Sequence, residues 1–333
     1  MTRIAINGFG RIGRCIMRLA AHDEDLEVVA VNDLMDPATA LHLFKYDSVH
    51  RRFRDASMDG QSLRAGRHEV RYLQERDPGK LPWKEMEVDV VLESTGLFRK
   101  RQQAAPHLDA GAKKVLISAP SKGDDPADIT LVAGVNLDDY NPDEHHVVSN
   151  ASCTTNCLAP ICKVIHDNYV IEEAQMTTIH SYTNDQRILD FPHSDLRRAR
   201  AGAVSMIPTT TGAAKAIGLV IPDLKGKIDG MAIRVPTPNV SLVDLTARVQ
   251  KATDEDSVNK AFEKAADGPM KGILVYEKAP LVSVDYMGDV ASSTVDAGST
   301  RVIGNLVKAL AWYDNEMGYS QRMLDVAKYM ASK

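Results

Sequence analysis

The sequence predicts an α/β protein in two parts: a parallel-sheet half followed by an α+β half with a mostly antiparallel sheet. Three observations carry this reading. A glycine-rich turn links the first strand to the first helix, and an acidic residue ends the next strand. Strands after residue 170 follow one another with few helical stretches between them. With 333 residues, the chain is longer than one hydrophobic core comfortably serves.

Composition narrows the class. The chain is 44% apolar and 26% charged, the balance of an ordinary globular protein. It carries 40 Lys+Arg against 45 Asp+Glu, a net charge of −5, which gives no electrostatic case for a dedicated nucleic-acid binder. Four cysteines in a chain this long are no disulfide framework, and no partners stand at metal-ligand spacing beside Cys153 and Cys157, so no metal site is expected. No apolar run is long enough to cross a bilayer, and no signal-like segment precedes the first strand. The expected compartment is the reducing cytoplasm.

Arg3–Asn7 reads as a strand, followed at once by Gly8-Phe9-Gly10-Arg11-Ile12-Gly13 and a helical stripe through Ile16, Leu19 and Ala20. Leu26–Val31 is the second strand, and Asp33 stands twenty residues past Gly13. In that context the G-x-G-x-x-G motif is a full dinucleotide fingerprint, and the first half is Rossmann-like. Gly8 permits the tight turn, Gly10 lets the backbone approach a pyrophosphate, and Gly13 lets helix and strand pack closely. Asp33 would accept from ribose hydroxyls and repel a 2′-phosphate, which favours NAD. Glu75-Arg76-Asp77-Pro78 is a turn whose arginine faces either an adenine or an exposed carboxylate. Val88–Glu93 and Lys114–Ile117 are further parallel strands, the latter ending at Ser118, with Gln102–Ala110 as the crossover helix.

Near the middle of the chain stands Ser149-Asn150-Ala151-Ser152-Cys153-Thr154-Thr155-Asn156-Cys157. The preceding residues form a short strand, and a helix runs from Cys157 to Asp167 with Pro160 near its start. Cys153 therefore lies at or just before a helix N-terminus, where free N–H groups and the helix dipole favour a thiolate. Read alone, such a cysteine is as compatible with a small buried hydrophobe. Cys157, one turn on, is structural.

Beyond it, Ala174–His180 is an alternating strand ending in a histidine, a candidate base if the cysteine is near. A long arginine-rich loop follows, from Ser181 to about Ser205, of the kind that serves a site or an interface. Pro208–Lys215 runs hydroxyls into a helix start, which suits either phosphate or a plain N-cap. Gly230–Pro236 is a strand with Arg234 inside it. Val240–Val249 and Ile273–Tyr276 are further strands, and Ala311–Glu316 leads into the last helix. A nucleotide-binding half joined to an activated thiol suggests aldehyde oxidation through a hemithioacetal and a thioester. Thr183, Arg198, Thr211 and Arg234 suggest phosphate recognition.

Over essentially its whole length the chain resembles the phosphorylating, NAD-dependent glyceraldehyde-3-phosphate dehydrogenases. The most specific matches are Ala5–Arg14, Ser149–Cys157, Thr209-Thr210-Thr211-Gly212, Arg234-Val235-Pro236-Thr237-Pro238 and Trp312-Tyr313-Asp314-Asn315-Glu316. The resemblance implies Cys153 as nucleophile and His180 as base and oxyanion partner. It implies Thr183 and Arg234 on the substrate's C3 phosphate. Ser152, Thr154, Thr211 and Gly212 would hold inorganic phosphate, with Arg198 near both. Arg11, Ile12, Asp33, Arg76, Ser118 and Asn315 would contact NAD alongside Gly8, Gly10 and Gly13. It also implies a glycolytic enzyme, a homotetramer with the arginine-rich loop at an interface, a dinucleotide domain of residues 1–149 joined by the helix 315–333, and a catalytic domain of residues 150–314. Two departures stand out: Phe191-Pro192 where the NAD-dependent branch usually has Leu-Pro, and a longer turn at Gly123–Pro126. The nearest rival is erythrose-4-phosphate dehydrogenase, whose branch typically lacks the Thr209–Gly212 segment.

Overall fold

Ile4 to Asn7 are buried without a break, as a strand covered on both faces must be. In the computed structural model, which describes all 333 residues, they belong to the first of two units, residues 1–152 with 320–333; the second is residues 153–319. In chain order the first unit has β1 (Thr2–Asn7), α1 (Arg11–Ala20), β2 (Leu26–Asn32), α2 (Pro37–Lys45) and a small hairpin of β3 (Tyr46–Asp47) and β4 (Arg51–Arg52). A meander of β5 (Ala56–Asp59), β6 (Ser62–Ala65) and β7 (His68–Leu73) comes next. Then follow β8 (Val90–Glu93), α3 (Arg101–Ala104), α4 (Pro106–Asp109), β9 (Lys114–Ile117), β10 (Ile129–Thr130) and β11 (Val147–Ser149).

The sheet order is β10-β11-β9-β8-β1-β2-β7-β6-β5, parallel from β10 to β7 and antiparallel only at the β7-β6-β5 edge. The chain leaves β1 toward β2 on one side and returns to β8 on the other. The crevice at the carboxyl end of β1 is thus a topological switch point, where open α/β sheets bind ligands. Trp83, fully buried, packs with Ala5, Val29, Val88 and Val91.

Two glycines fix the turn after β1. Gly8 has φ +97°, and a Cβ there would lie 2.6 Å from the Ser94 carbonyl carbon. A Cβ on Gly13 would lie 2.0 Å from the Gly8 oxygen. At Gly10 a Cβ would meet no atom of the protein within 4 Å. Its glycine answers to nothing in the fold itself.

The second unit opens with α5 (Cys153–Tyr169), followed by β12 (Ile171–Ser181), β13 (Ile207–Thr210), α6 (Ala213–Val220), β14 (Ile228–Val235), β15 (Ser241–Val249) and α7 (Glu255–Asp267). Then come β16 (Leu274–Glu277), β17 (Ser293–Asp296), β18 (Arg301–Ile303) and β19 (Leu306–Tyr313). The sheet runs β13-β14-β12-β15-β19-β17-β16, with β18 also on β19. Only β12–β14 and β16–β17 are parallel, so it is mostly antiparallel as expected. α8 (Met317–Ala331) starts in this unit, and its residues from Ser320 belong to the first, where Lys328 pairs with Asp23 at 2.5 Å.

Two local expectations are corrected. α5 begins at Cys153, four residues early, so Pro160 sits in the helix interior. The residues from Thr154 to Ile165 are buried with one exception, and that packing outweighs the hydrogen bond a proline forfeits. The crossover helix at 102–110 is two short turns, because Pro106 begins a new turn as its first residue.

The two glycines on the α1 turn separate fold from ligand. Gly13→Ala should destabilise the protein by about 1–3 kcal/mol, the usual cost of overpacking against rigid backbone. Gly10→Ala should cost less, up to about 1 kcal/mol, the usual loss when alanine replaces a better N-cap residue. Denaturant melts of both variants without cofactor check this; equal losses would contradict the packing argument.

Candidate active site

The carboxyl end of the first unit's sheet forms a groove of about 530 Å³ lined by Asn7, Gly8, Gly10, Asp33, Arg76 and Thr95, among others. Gly10 is the N-cap of α1, and no side chain caps that helix. Its first N–H groups are therefore the natural partners of an anion. Asp33 is held from two sides: Oδ2 accepts from the Phe9 N–H at 2.6 Å and Oδ1 from the Met35 N–H at 2.9 Å. Each oxygen keeps a lone pair for a ribose hydroxyl. Arg11 is paired with Asp47 at 2.6 Å, and the Ser118 N–H donates to the Glu93 carbonyl at 2.9 Å. Ile12 is half-buried on α1.

Beneath the groove runs a buried polar chain that the sequence did not announce. Trp83 Nε1 donates to His107 Nδ1 at 2.9 Å, which leaves the His107 proton on Nε2, 3.1 Å from Glu93 Oε2. Asn7 Nδ2 donates to the same oxygen at 2.6 Å, and the Thr95 N–H donates to Oε1 at 2.9 Å. Asn7 Oδ1 accepts from Asn32 Nδ2 at 2.7 Å. Asn32 in turn holds the Glu75 backbone by its carbonyl and its N–H, both at 2.8 Å. One network thus pins both walls of the groove, the 75–78 turn and the loop after β8. Its only signal in the sequence is that Asn7, Asn32 and Glu93 are polar residues ending apolar strands.

In the second unit, strand register assembles the chemistry. His180 and Arg234 are Cα partners in the parallel β12–β14 pair. Tyr313, at the end of β19, pairs with Ser241 at the start of β15. Cys153, the first residue of α5, is half-buried, with Sγ 3.6 Å from His180 Nε2. The Tyr313 hydroxyl bonds the Thr154 hydroxyl at 2.9 Å and the Thr178 hydroxyl at 2.8 Å, and its ring meets His180 edge-on. Asn315 Oδ1 accepts from the Ser181 and Ser241 hydroxyls at 2.8 and 2.9 Å, so its amide nitrogen is the end left to donate.

Arg234 Nη1 donates to His180 Nδ1 at 2.8 Å and to the Ser181 carbonyl at 3.0 Å. Nδ1 also lies 2.7 Å from the Ser181 carbonyl, so a proton on Nδ1 has an acceptor there when Nε2 takes up the proton of the thiol. Arg234 Nε is buried without a partner, a donor that an anion would satisfy. Arg198 is braced by Asp185 at 2.6 Å, by the Thr209 hydroxyl at 2.9 Å and by the Thr210 carbonyl at 3.1 Å. The Thr211 hydroxyl accepts from the Ala213 N–H at 3.2 Å, and Gly212 is the N-cap of α6. Thr183 is half-buried, its N–H bonded to Gln186 at 3.2 Å. Ser152 is half-buried and falls in the first unit.

The electrostatics differ from the expected helix-dipole thiolate. Burial pushes the Cys153 thiol up, and the Arg234 guanidinium, the Thr154 hydroxyl and the backbone N–H groups of Thr154 and Cys153 at the helix start only partly offset it. Burial, with Arg234 second, holds His180 well below its ordinary value. Each group is thus driven toward its neutral form while the other is neutral. Moving a proton from Sγ to the imidazole creates opposite charges 3.6 Å apart. At an effective dielectric of 20 that attraction is about 5 kcal/mol, enough to make the two titrate as a pair. Cys157 has no such partner. It is fully buried, its thiol is pushed up by burial, and its sulfur lies 3.5 Å from the Ser293 hydroxyl.

Residues 2–101 match the model for the NAD binding domain of glyceraldehyde 3-phosphate dehydrogenase, and residues 152–315 match its C-terminal domain. The chain is 60% identical over 333 residues to glyceraldehyde-3-phosphate dehydrogenase of Geobacillus stearothermophilus, covering 99% of this chain and 98% of that protein. It is 56% identical to glyceraldehyde-3-phosphate dehydrogenase 1 of Bacillus cereus over 100% of this chain and 99% of the relative. For glyceraldehyde-3-phosphate dehydrogenase 1 of Bacillus subtilis (strain 168) the identity is 55%, over 99% and 98%.

The paired titration makes Cys153 reactivity the quantity to follow. Alkylation by iodoacetamide should rise with pH along the thiolate fraction and label Cys153 while sparing Cys157. His180→Asn removes a hydrogen bond to a charged group, worth about 1.5–3 kcal/mol, and should shift that rise upward by about 1–2 pH units. An unchanged alkylation profile in His180→Asn would show that the imidazole does not support the thiolate.

Proposed function

The chain belongs to the glyceraldehyde-3-phosphate dehydrogenase family, and we propose that it oxidises D-glyceraldehyde 3-phosphate to 1,3-bisphosphoglycerate with NAD and inorganic phosphate, through a thioester on Cys153. The observation that supports this most is the thiol–imidazole pair at 3.6 Å with a partnerless buried arginine nitrogen beside it. A nucleophile, a base and an anion-binding donor converge on one strand end. The family match favours this aldehyde over erythrose 4-phosphate.

Cys153 Sγ gives its proton to His180 Nε2 and attacks the aldehyde carbon; the C–S bond forms as the C=O π bond opens, and the proton returns from Nε2 to the oxygen, giving the hemithioacetal. His180 Nε2 holds the developing oxyanion and takes the hydroxyl proton as the C–H bond breaks, leaving the thioester. NAD supplies the acceptor for the hydride. A phosphate oxygen then attacks the thioester carbon and expels the Cys153 thiolate. Arg234 and Thr183 hold the substrate's C3 phosphate. Ser152, Thr154, Thr211 and Gly212 hold the attacking phosphate, and Arg198 serves both, its direction fixed by Asp185 and Thr209. Tyr313 positions Thr154 and the His180 ring.

The first unit suits the cofactor on its own geometry. Gly10 offers backbone with nothing beside it, the uncapped α1 N-terminus suits a pyrophosphate, and Asp33 keeps free lone pairs for a ribose. Gly8, Gly13, Arg11, Ile12, Arg76 and Ser118 complete that unit's assignment, and the family resemblance adds the Asn315 amide. The loop from 182 to 206 exposes Ile188, Leu189, Phe191 and Leu196, which supports its use as a contact between copies in a homotetramer. No helix is long and apolar enough to cross a membrane, and a cytoplasmic enzyme is the reading adopted.

The thioester route separates two half-reactions. Mixed with aldehyde and NAD in phosphate-free, arsenate-free buffer, the enzyme should give a burst of NADH approaching one equivalent per subunit and then slow sharply. Phosphate should restore steady turnover. Cys153→Ser should abolish the burst, and His180→Asn should slow it by roughly 10²–10⁴-fold. Full-rate turnover without phosphate would point to a hydrolytic aldehyde dehydrogenase instead.

A further inference from the structure

Three adjacent strands of the first unit end in a row of polar side chains. Glu93 on β8, Asn7 on β1 and Asn32 on β2 are successive Cα partners in the parallel ladders, so all three lie on one face of the sheet. Their hydrogen bonds run in one direction. The Glu75 backbone sets Asn32: Oδ1 accepts from the Glu75 N–H and Nδ2 donates to the Glu75 carbonyl, both at 2.8 Å. The second Nδ2 hydrogen goes to Asn7 Oδ1 at 2.7 Å, which turns Asn7 Nδ2 toward β8. There it donates to Glu93 Oε2 at 2.6 Å. A row of amides that all donate toward β8 needs a pure acceptor at its end, and a carboxylate is the side chain that is one.

That carboxylate is saturated. Oε2 also takes the His107 Nε2 hydrogen at 3.1 Å, and Oε1 takes both the Thr95 N–H, at 2.9 Å, and the Thr95 hydroxyl hydrogen. The same hydroxyl accepts from the Leu97 N–H at 3.1 Å, which folds the loop after β8. Each oxygen of Glu93 faces one donor that cannot turn away. The Thr95 N–H is backbone, and the His107 Nε2 hydrogen is fixed because Trp83 donates to Nδ1. A glutamine at 93 has the same size, yet its NH2 would meet a fixed donor whichever way the amide turned. Glu93 itself is 1% exposed and does not line the groove, whereas Asn7, Asn32, Glu75, Thr95 and Leu97 do.

We propose that Glu93 is a positioning residue for NAD: without touching the cofactor, its carboxylate orients the loop after β8 directly and the 75–78 turn through Asn7 and Asn32, and so sets the affinity of the groove. The acceptor oxygens at position 93 are what the site needs, more than the volume. Walls held in their bound positions cost the cofactor no ordering when it arrives. This rests on the groove as the NAD site.

Two variants of the full-length protein separate this role from space-filling. Glu93→Gln keeps the volume and loses one acceptor oxygen; Glu93→Met keeps the length and loses both. NAD affinity is measured by titration calorimetry. Amide hydrogen exchange of segments 74–79 and 94–98 is measured by mass spectrometry without cofactor. Both variants should bind NAD about 10-fold or more weakly, with KM for NAD rising by more than kcat falls. Glu93→Met should speed exchange by about 5- to 150-fold in both segments, although the first is reached only through Asn7 and Asn32. A folded Glu93→Met that binds NAD as the parent does, or whose exchange rises in 94–98 alone, would overturn the proposal. If that variant does not fold, Asn7→Leu cuts the row one strand nearer the turn, and unchanged exchange of 74–79 there would overturn it equally. A parent protein that binds no NAD would remove the reading of the groove, while the exchange result would still decide whether Glu93 holds both walls.

Discussion

The second unit's chemistry depends on one pairing register. The parallel β12–β14 ladder sets His180 beside Arg234, and a slip of one residue would turn one of the two side chains to the opposite face. The end of β12 brings Ser181 with it, whose carbonyl bonds Arg234 and whose hydroxyl bonds Asn315. The β15–β19 register then sets Ser241 against Tyr313, and through them Asn315, Thr154 and Thr178. Cys153 and Thr154 come from a helix instead, and the start of α5 delivers the thiol to the imidazole. Residues from four strands are thus located by backbone pairing before any side-chain contact is made.

The first unit solves a different problem: holding two loops still around a groove without filling it. Its buried side chains share one acceptor-rich centre, the Glu93 carboxylate, which is 1% exposed and has no Lys or Arg partner. Neutral donors surround it instead, from His107, Asn7 and the Thr95 backbone. A buried carboxylate is tolerable only when its lone pairs are matched in this way. The arrangement ties groove rigidity to the strand ends that the sheet fixes.

Much of this was legible in the sequence. The G-x-G-x-x-G turn with Asp33 located the nucleotide half, because glycine spacing and strand–helix order are local signals. The Ser149–Cys157 stretch located the thiol. Local signals failed where long-range packing decides. Pro160 looked like a helix start, yet lies inside a buried helix. The N–H groups at the start of the Cys153 helix do lower its thiol as expected, yet burial raises it by more, and the largest opposing group is Arg234, 81 residues away in the chain. Trp83, His107 and Glu93 carry no motif, and only the fold shows them as one network. The left-over lone pairs of Asp33 and the orphaned Arg234 nitrogen are likewise facts of three-dimensional placement.

The central claim is that a single sulfur carries the acyl group between oxidation and phosphorolysis. Its most direct test is the covalent intermediate itself. Enzyme, glyceraldehyde 3-phosphate and NAD are mixed without phosphate, quenched in acid within the first turnover, and digested at low pH for peptide mass mapping. The account predicts one phosphoglyceroyl group per subunit, on the peptide containing Cys153 and on that sulfur, lost when phosphate is added before the quench. An acyl group on Cys157, or turnover with no acylated peptide at all, would contradict it.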